Sequence, residues 1–186
     1  MFKVLTLNNI AVEGLRRLPR ERYEVASEIA HPDAILVRSH NMHDMEIPDT
    51  VAAIGRAGAG TNNIPLDAMS AKGVPVFNAP GANANAVKEL AIAGMLIGAR
   101  NLCNAREYVS SLTETGAALN KAVEAGKKQF VGFELPGKTL GVIGLGAIGV
   151  EVANAALDLG MRVNGFDPSI TVRNAWQLSS GVEQEE

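Results

Sequence analysis

Short apolar runs alternate along the chain with stretches whose apolar residues recur at helical spacing. Phe2 to Leu7, Ala34 to Val37, Ala52 to Arg56 and Val74 to Phe77 read as strands, with Ala11 to Leu18 and Pro65 to Lys72 as helices between them. Strand and helix taking turns predicts a parallel α/β sheet. Pro65 occupies a first-turn position and Gly73 lies just past the last turn, where a missing N–H and a left-handed backbone are tolerated best. From Ala84 to about Arg100 the sequence is apolar nearly all round, which predicts a helix packed between two layers at a domain junction. Polar and charged residues dominate from Asn101 to Lys138, around a helical pattern at Ala117 to Ala125 and a Leu135-Pro136-Gly137 break. The domain crossing is therefore placed here, with residues 1–100 read as one domain and 101–186 as linker helices and a second α/β unit. In that unit a strand (Thr139 to Ile143), a helix (Ala147 to Leu159, stopped by Gly160) and a strand (Arg162 to Phe166) follow in order.

Composition narrows the function classes. The 186 residues are 47% apolar and 20% charged, enough for one full domain or two small ones and inconsistent with disorder. Seventeen basic against twenty acidic side chains give a net charge of −3, which argues against a nucleic-acid or anionic-membrane surface. The run Leu90 to Ala99, bounded by Lys88-Glu89 and Arg100, is about half of the ~20 residues that span a bilayer. Met1 to Leu7 is too short for a signal-peptide core. Cys103 is alone, so no internal disulfide or zinc site is expected, and a reducing cytoplasm is the default compartment.

One motif carries chemistry. Gly144-Leu145-Gly146-Ala147-Ile148-Gly149 matches G-x-G-x-x-G, a weak signal alone in a chain with 19 glycines. Its context strengthens it: the motif follows the strand Leu140 to Ile143 and opens a helix with apolar Ile148, Val152, Ala156 and Leu159. The next strand ends in Asp167, eighteen residues past the last glycine. In dinucleotide binding, Gly144 permits the tight turn, Gly146 lets backbone approach a pyrophosphate, and Gly149 lets helix and strand pack closely. Amides near Ala147 and Ile148 then face the phosphates with the positive end of the helix dipole behind them. Asp167 would accept hydrogen bonds from the ribose 2′-OH and repel a 2′-phosphate, so NAD is expected over NADP. A glycine-rich turn in an unrelated α/β protein is the plainer alternative.

Three further stretches, Ile35-Leu36-Val37-Arg38-Ser39, Ile54-Gly55-Arg56-Ala57-Gly58-Ala59-Gly60-Thr61-Asn62-Asn63-Ile64 and Val76-Phe77-Asn78-Ala79-Pro80-Gly81-Ala82-Asn83, closely resemble the NAD-dependent D-2-hydroxyacid dehydrogenases, above all their phosphoglycerate-oxidising branch. The similarity continues through Gly137-Lys138-Thr139-Leu140-Gly141 and the glycine motif to Gly165-Phe166-Asp167-Pro168. The resemblance implies a flavodoxin-like substrate domain followed by the first βαβ unit of a Rossmann NAD domain, with hydride passing between C2 of the substrate and the nicotinamide in the cleft. It implies oxidation of 3-phosphoglycerate to 3-phosphohydroxypyruvate in serine biosynthesis, a small anionic substrate, and a homo-oligomeric parent enzyme. By the same resemblance Arg38, Ser39 and Asn83 hold substrate anions, and the backbone at Gly58 and Ala59 faces substrate and nicotinamide. A guanidinium fork suits phosphate or carboxylate. Each residue also has a plain structural reading: a surface arginine ending a strand, a tight βα turn, and an N-cap at Asn83.

The family's catalytic arginine, glutamate and histidine normally lie in the second half of the NAD domain, beyond the matched stretch. His31, His40 and His43 match none of them and read as solvated loop histidines, so no catalytic residue is assigned and the chain alone is expected to be inactive. Only two Rossmann strands are expected, leaving an open sheet edge at Thr139 to Ile143. Ala147 stands where many relatives carry arginine, which leaves the backbone donor but removes a side-chain contact to the cofactor. The cluster Arg16, Arg17, Arg20 and Arg22 is assigned no function, and Trp176 is expected to pack a loop. Two alternatives stay open: a dehydrogenase for another 2-hydroxyacid of glycerate, lactate or formate type, and a non-catalytic dinucleotide-binding or interaction module.

Overall fold

A computed structural model describes residues 1–184, which fall into two compact units, Met1–Asn83 and the described residues from Ala84 onward. In the first, β1 (Phe2–Leu7), β2 (Tyr23–Ala26), β3 (Ala34–Val37), β4 (Ala53–Arg56) and β5 (Val76–Asn78) form one sheet in the order β2-β1-β3-β4-β5. Every pairing is parallel. Parallel strands need both faces away from water, and the apolar runs supply one face fully. Leu5, Ile35, Val37 and Ile54 point to the same side and close on Met42, Ile47, Val51, Ile64 and Met69. Ile35, Val37, Met42 and Ile54 are wholly buried, each contributing about 1.5–3 kcal/mol of apolar transfer. Met69 comes from α2 (Leu66–Ala71), capped beyond its end by Gly73 at φ +71°. The helix α1 (Val12–Leu15) is shorter than its apolar spacing predicts, because Gly14 weakens it and Pro19 ends the following turns.

The second unit begins with α3 (Ala84–Ala99), followed by α4 (Leu102–Ser111) and α5 (Gly116–Gly126). Its sheet, in the order β6-β7-β8, comprises β6 (Thr139–Ile143), β7 (Arg162–Phe166) and β8 (Val182–Gln184), again all parallel. The helix α6 (Ala147–Asp158) crosses from β6 to β7, and α7 (Val172–Gln177) precedes β8. Val150, Ala153 and Ala156 are the buried face of α6, a different stripe from the expected Ile148–Val152–Ala156–Leu159. Small residues there let the helix lie close to the sheet.

Four expectations change. The second sheet has three strands, because Val182 enters the core beside Val163 and pairs with it. The boundary between units falls before α3, which packs on α6 and bridges Lys88 to Glu151 at 3.6 Å. That helix is not covered all round: Leu90, Leu96 and Ile97 are exposed, since α6 presents only one apolar face to it. Trp176 is 87% exposed and packs no loop. Among the described residues no helix is long and apolar enough to cross a membrane, and no group of three acidic, histidine or cysteine side chains is placed to hold a metal.

Candidate functional site

In a parallel sheet, loops at the carboxyl ends of the strands collect functional groups. The first unit gathers Arg38, Ser39, Gly58 and Ala59 at such an edge. Val37 pairs with Arg56, so the chain leaves β3 at Arg38 beside the point where it leaves β4. The Ala57 amide donates to the Val37 carbonyl at 2.8 Å and fixes that neighbourhood. The Ser39 amide donates to Asn8 Oδ1 at 3.1 Å, and both Arg38 and Ser39 side chains are exposed. The Gly58 turn is pinned to the end of β5: the Ala79 amide donates to the Gly58 carbonyl at 3.0 Å, and Asn78 Nδ2 to the Ala59 carbonyl at 2.7 Å. Asn83 is exposed in the turn before α3.

Sequence reasoning passed over Arg56. Its guanidinium lies where a Cβ on Gly58 would project, and Gly58 has φ +152°, so only glycine admits both the turn and the arginine. Arg56 Nε is buried without a hydrogen-bond partner, and Arg56 ends β4 opposite Val37, at the same edge as Arg38. The only signal in the sequence was its place in the glycine-rich stretch after a strand. His43 Nε2 lies 2.9 Å from the Asn62 carbonyl, which ties that histidine to the loop after the Gly58 turn.

The second unit assembles Gly144, Gly146, Ala147, Ile148, Gly149 and Asp167 at the carboxyl end of β6 and β7. Gly144 has φ +95°, closed to most side chains, and its amide donates to the Phe166 carbonyl at 2.7 Å. A Cβ on Gly149 would overlap the Gly144 carbonyl oxygen and stand 3.0 Å from its carbon. A Cβ on Gly146 would meet nothing within 4 Å, so this glycine faces open space. Leu145 is 1% exposed; its methyls fill the notch over Gly165 and anchor the turn. The first hydrogen bond along α6 is from Val150 to Gly146, leaving the amides of Ala147, Ile148 and Gly149 without an acceptor in the helix. Half-buried Asp167 accepts from the Leu145 amide through Oδ2 at 2.7 Å and from the Ser169 amide through Oδ1 at 2.9 Å. The carboxylate thus lies at the mouth of the helix. These features fit a dinucleotide: open space over Gly146, unpaired amides, and an acceptor where a ribose would lie.

Both units are thus parallel α/β sheets carrying glycine turns at their carboxyl edges, a doubly wound α/β architecture. The chain belongs to the family described as D-isomer specific 2-hydroxyacid dehydrogenase, catalytic domain, which matches residues 6–171. It is 38% identical over 177 residues to the D-3-phosphoglycerate dehydrogenase of Archaeoglobus fulgidus, covering 92% of this chain and 31% of that protein. With the enzyme of the same name from Methanocaldococcus jannaschii it shares 39% identity over 163 residues, 86% of this chain and 29% of that one. The chain therefore spans about a third of the length of these curated relatives. The structure of NAD+-bound 3-phosphoglycerate dehydrogenase from Entamoeba histolytica matches with a TM-score of 0.63 at 27% identity, over 93% of this chain and 56% of that one. D-mandelate dehydrogenase from Rhodotorula graminis shares the fold, with a TM-score of 0.73 at 22% identity over 100% and 61% of the two chains.

Proposed function

We propose that this chain supplies the substrate-anion and NAD-binding parts of an enzyme that oxidises 3-phosphoglycerate at its C2 hydroxyl with NAD as acceptor, giving 3-phosphohydroxypyruvate. The observation that supports this most directly is the mouth of α6, where an open glycine turn, unpaired amides and the Asp167 carboxylate converge. When bound, NAD supplies the hydride acceptor. The amides of Ala147 and Ile148 hold its diphosphate, Gly144, Gly146 and Gly149 shape the turn, and Asp167 takes the ribose hydroxyls while repelling a 2′-phosphate. Arg38 and Ser39 hold the substrate's phosphate or carboxylate, with Arg56 adding a second guanidinium from the adjoining strand. Gly58 and Ala59 bring backbone close to the reacting groups, and Asn83 completes the polar lining. The substrate assignment draws on the relatives named D-3-phosphoglycerate dehydrogenase. The 186 residues alone are proposed to be inactive, because His31, His40 and His43 match none of the positions that carry the acid/base histidine in the family the chain resembles. The parent enzyme is proposed to be a cytoplasmic homo-oligomer.

Calorimetry tests the cofactor half. Wild-type protein should bind NAD more tightly than NADP, and Gly146→Ala should lose NAD while melting at the wild-type temperature. NAD binding that survives Gly146→Ala unchanged would remove the glycine turn from the site. Reduction of 3-phosphohydroxypyruvate by the 186-residue chain with NADH would overturn the view that its own histidines take no part.

A further inference from the structure

We propose that Asn63 is a positioning residue that clamps the turn carrying Arg38 and Ser39; its consequence for ligand binding rests on the reading of that turn as the substrate-anion site. The chain from Arg38 to Met42 has no helix or strand of its own. Asn63, twenty-five residues after Arg38, reaches it with both ends. Its Nδ2 donates to the His40 carbonyl at 2.8 Å and lies 3.5 Å from the Arg38 carbonyl, while its own backbone carbonyl accepts from the Met42 amide at 2.8 Å. Met42 is wholly buried in the core of the first unit, so the clamp is anchored on rigid packing. The orientation of the amide follows from its neighbours: two carbonyls face it and only an N–H₂ can answer them.

The other half of the group sharpens the argument. Asn63 Oδ1 is buried with no hydrogen-bond partner. Buried polar atoms are nearly always paired, so an amide kept here with its acceptor idle is present for its donors. A guanidinium on an exposed turn would otherwise sample many positions, and anion affinity depends on its being held in one. Asn63 thus sets where Arg38 stands without touching the ligand itself.

The test uses Asn63→Ala and Asn63→Asp in the 186-residue chain. The aspartate keeps the shape and sets a carboxylate oxygen against the two carbonyls. Two readouts are taken: amide hydrogen exchange at Ser39, Met42 and His43, and dissociation constants for 3-phosphoglycerate and NAD. In both variants exchange at these amides should quicken while β3 and β4 stay protected. Affinity for 3-phosphoglycerate should fall about tenfold with NAD affinity unchanged, a split that general destabilisation would not give. Unchanged exchange at the three amides, or, where the wild type binds 3-phosphoglycerate, unchanged affinity for it in both variants, overturns the proposal. A turn that loosens in a protein whose wild-type form does not bind 3-phosphoglycerate upholds the clamp and overturns the anion reading.

Discussion

Replacing Gly149 with alanine sets two well-characterised effects against each other. Gly149 lies within α6, where alanine is the better helix former by about 1 kcal/mol. The added Cβ would overlap the Gly144 carbonyl oxygen and press to 3.0 Å from its carbon, and that obstacle is backbone. It cannot rotate away, because the Gly144 amide is bonded to Phe166 and Leu145 is buried in the core. Overpacking of this kind costs about 1–3 kcal/mol where side chains can yield, so rigid backbone puts the case at or above the upper end. Subtracting the helical gain leaves a net loss of about 2 kcal/mol. For a unit of about a hundred residues, each kcal/mol lowers the midpoint by roughly 4–8 °C, so thermal unfolding followed by circular dichroism should show a drop of about 8–16 °C. NAD affinity should fall as well, since the helix must back away from the turn. A variant that melts at or above the wild-type temperature would show that propensity outweighs contact here, and the close-packing role given to this glycine would be wrong.

Three further outcomes are expected. Leu145→Ala empties the notch over Gly165 and should destabilise the second unit by about 2–5 kcal/mol in denaturant titrations, with no loss if the side chain is dispensable. Asp167→Asn should lower NAD affinity and narrow the preference over NADP, measured by calorimetry; an unaltered preference would take the carboxylate out of cofactor choice. Lys72 donates to Asp49 at 2.8 Å and to the Ile47 carbonyl at 3.1 Å, and this hydrogen bond, then the lysine's charge, holds the Asp49 carboxyl below its ordinary value. The pair's contribution is present at neutral pH and lost as pH falls through that lowered value. Lys72→Met should return the Asp49 titration, followed by NMR, toward the ordinary carboxylate range.

The fold was legible where local pattern and burial agree. Strands β1, β3, β6 and β7 have the bounds their apolar runs suggest, because each sits between turn residues and carries β-branched or leucine side chains. Tyr23–Ala26 escaped because charged residues crowd it, and its strand character comes from pairing with β1. The strand at Val182–Gln184 escaped because three residues carry no period, and Val182 is recruited by the core. The glycine turn was legible because its spacing is itself backbone geometry. Asn63 and Arg56 were not, since their roles depend on groups that only the folded sheet brings near: the carbonyls Asn63 reaches lie twenty-three and twenty-five residues away.

The tethering of Asp167 reaches further than its two hydrogen bonds. An ionised carboxylate offers about four acceptor directions, and here each oxygen has given one to an amide of its own chain. One direction on each oxygen remains, a matched pair suited to the vicinal diol of a furanose ring. Because the side chain is already immobilised, a sugar docking there is spared the ordering penalty of about 0.5–1.5 kcal/mol that a free rotor would impose.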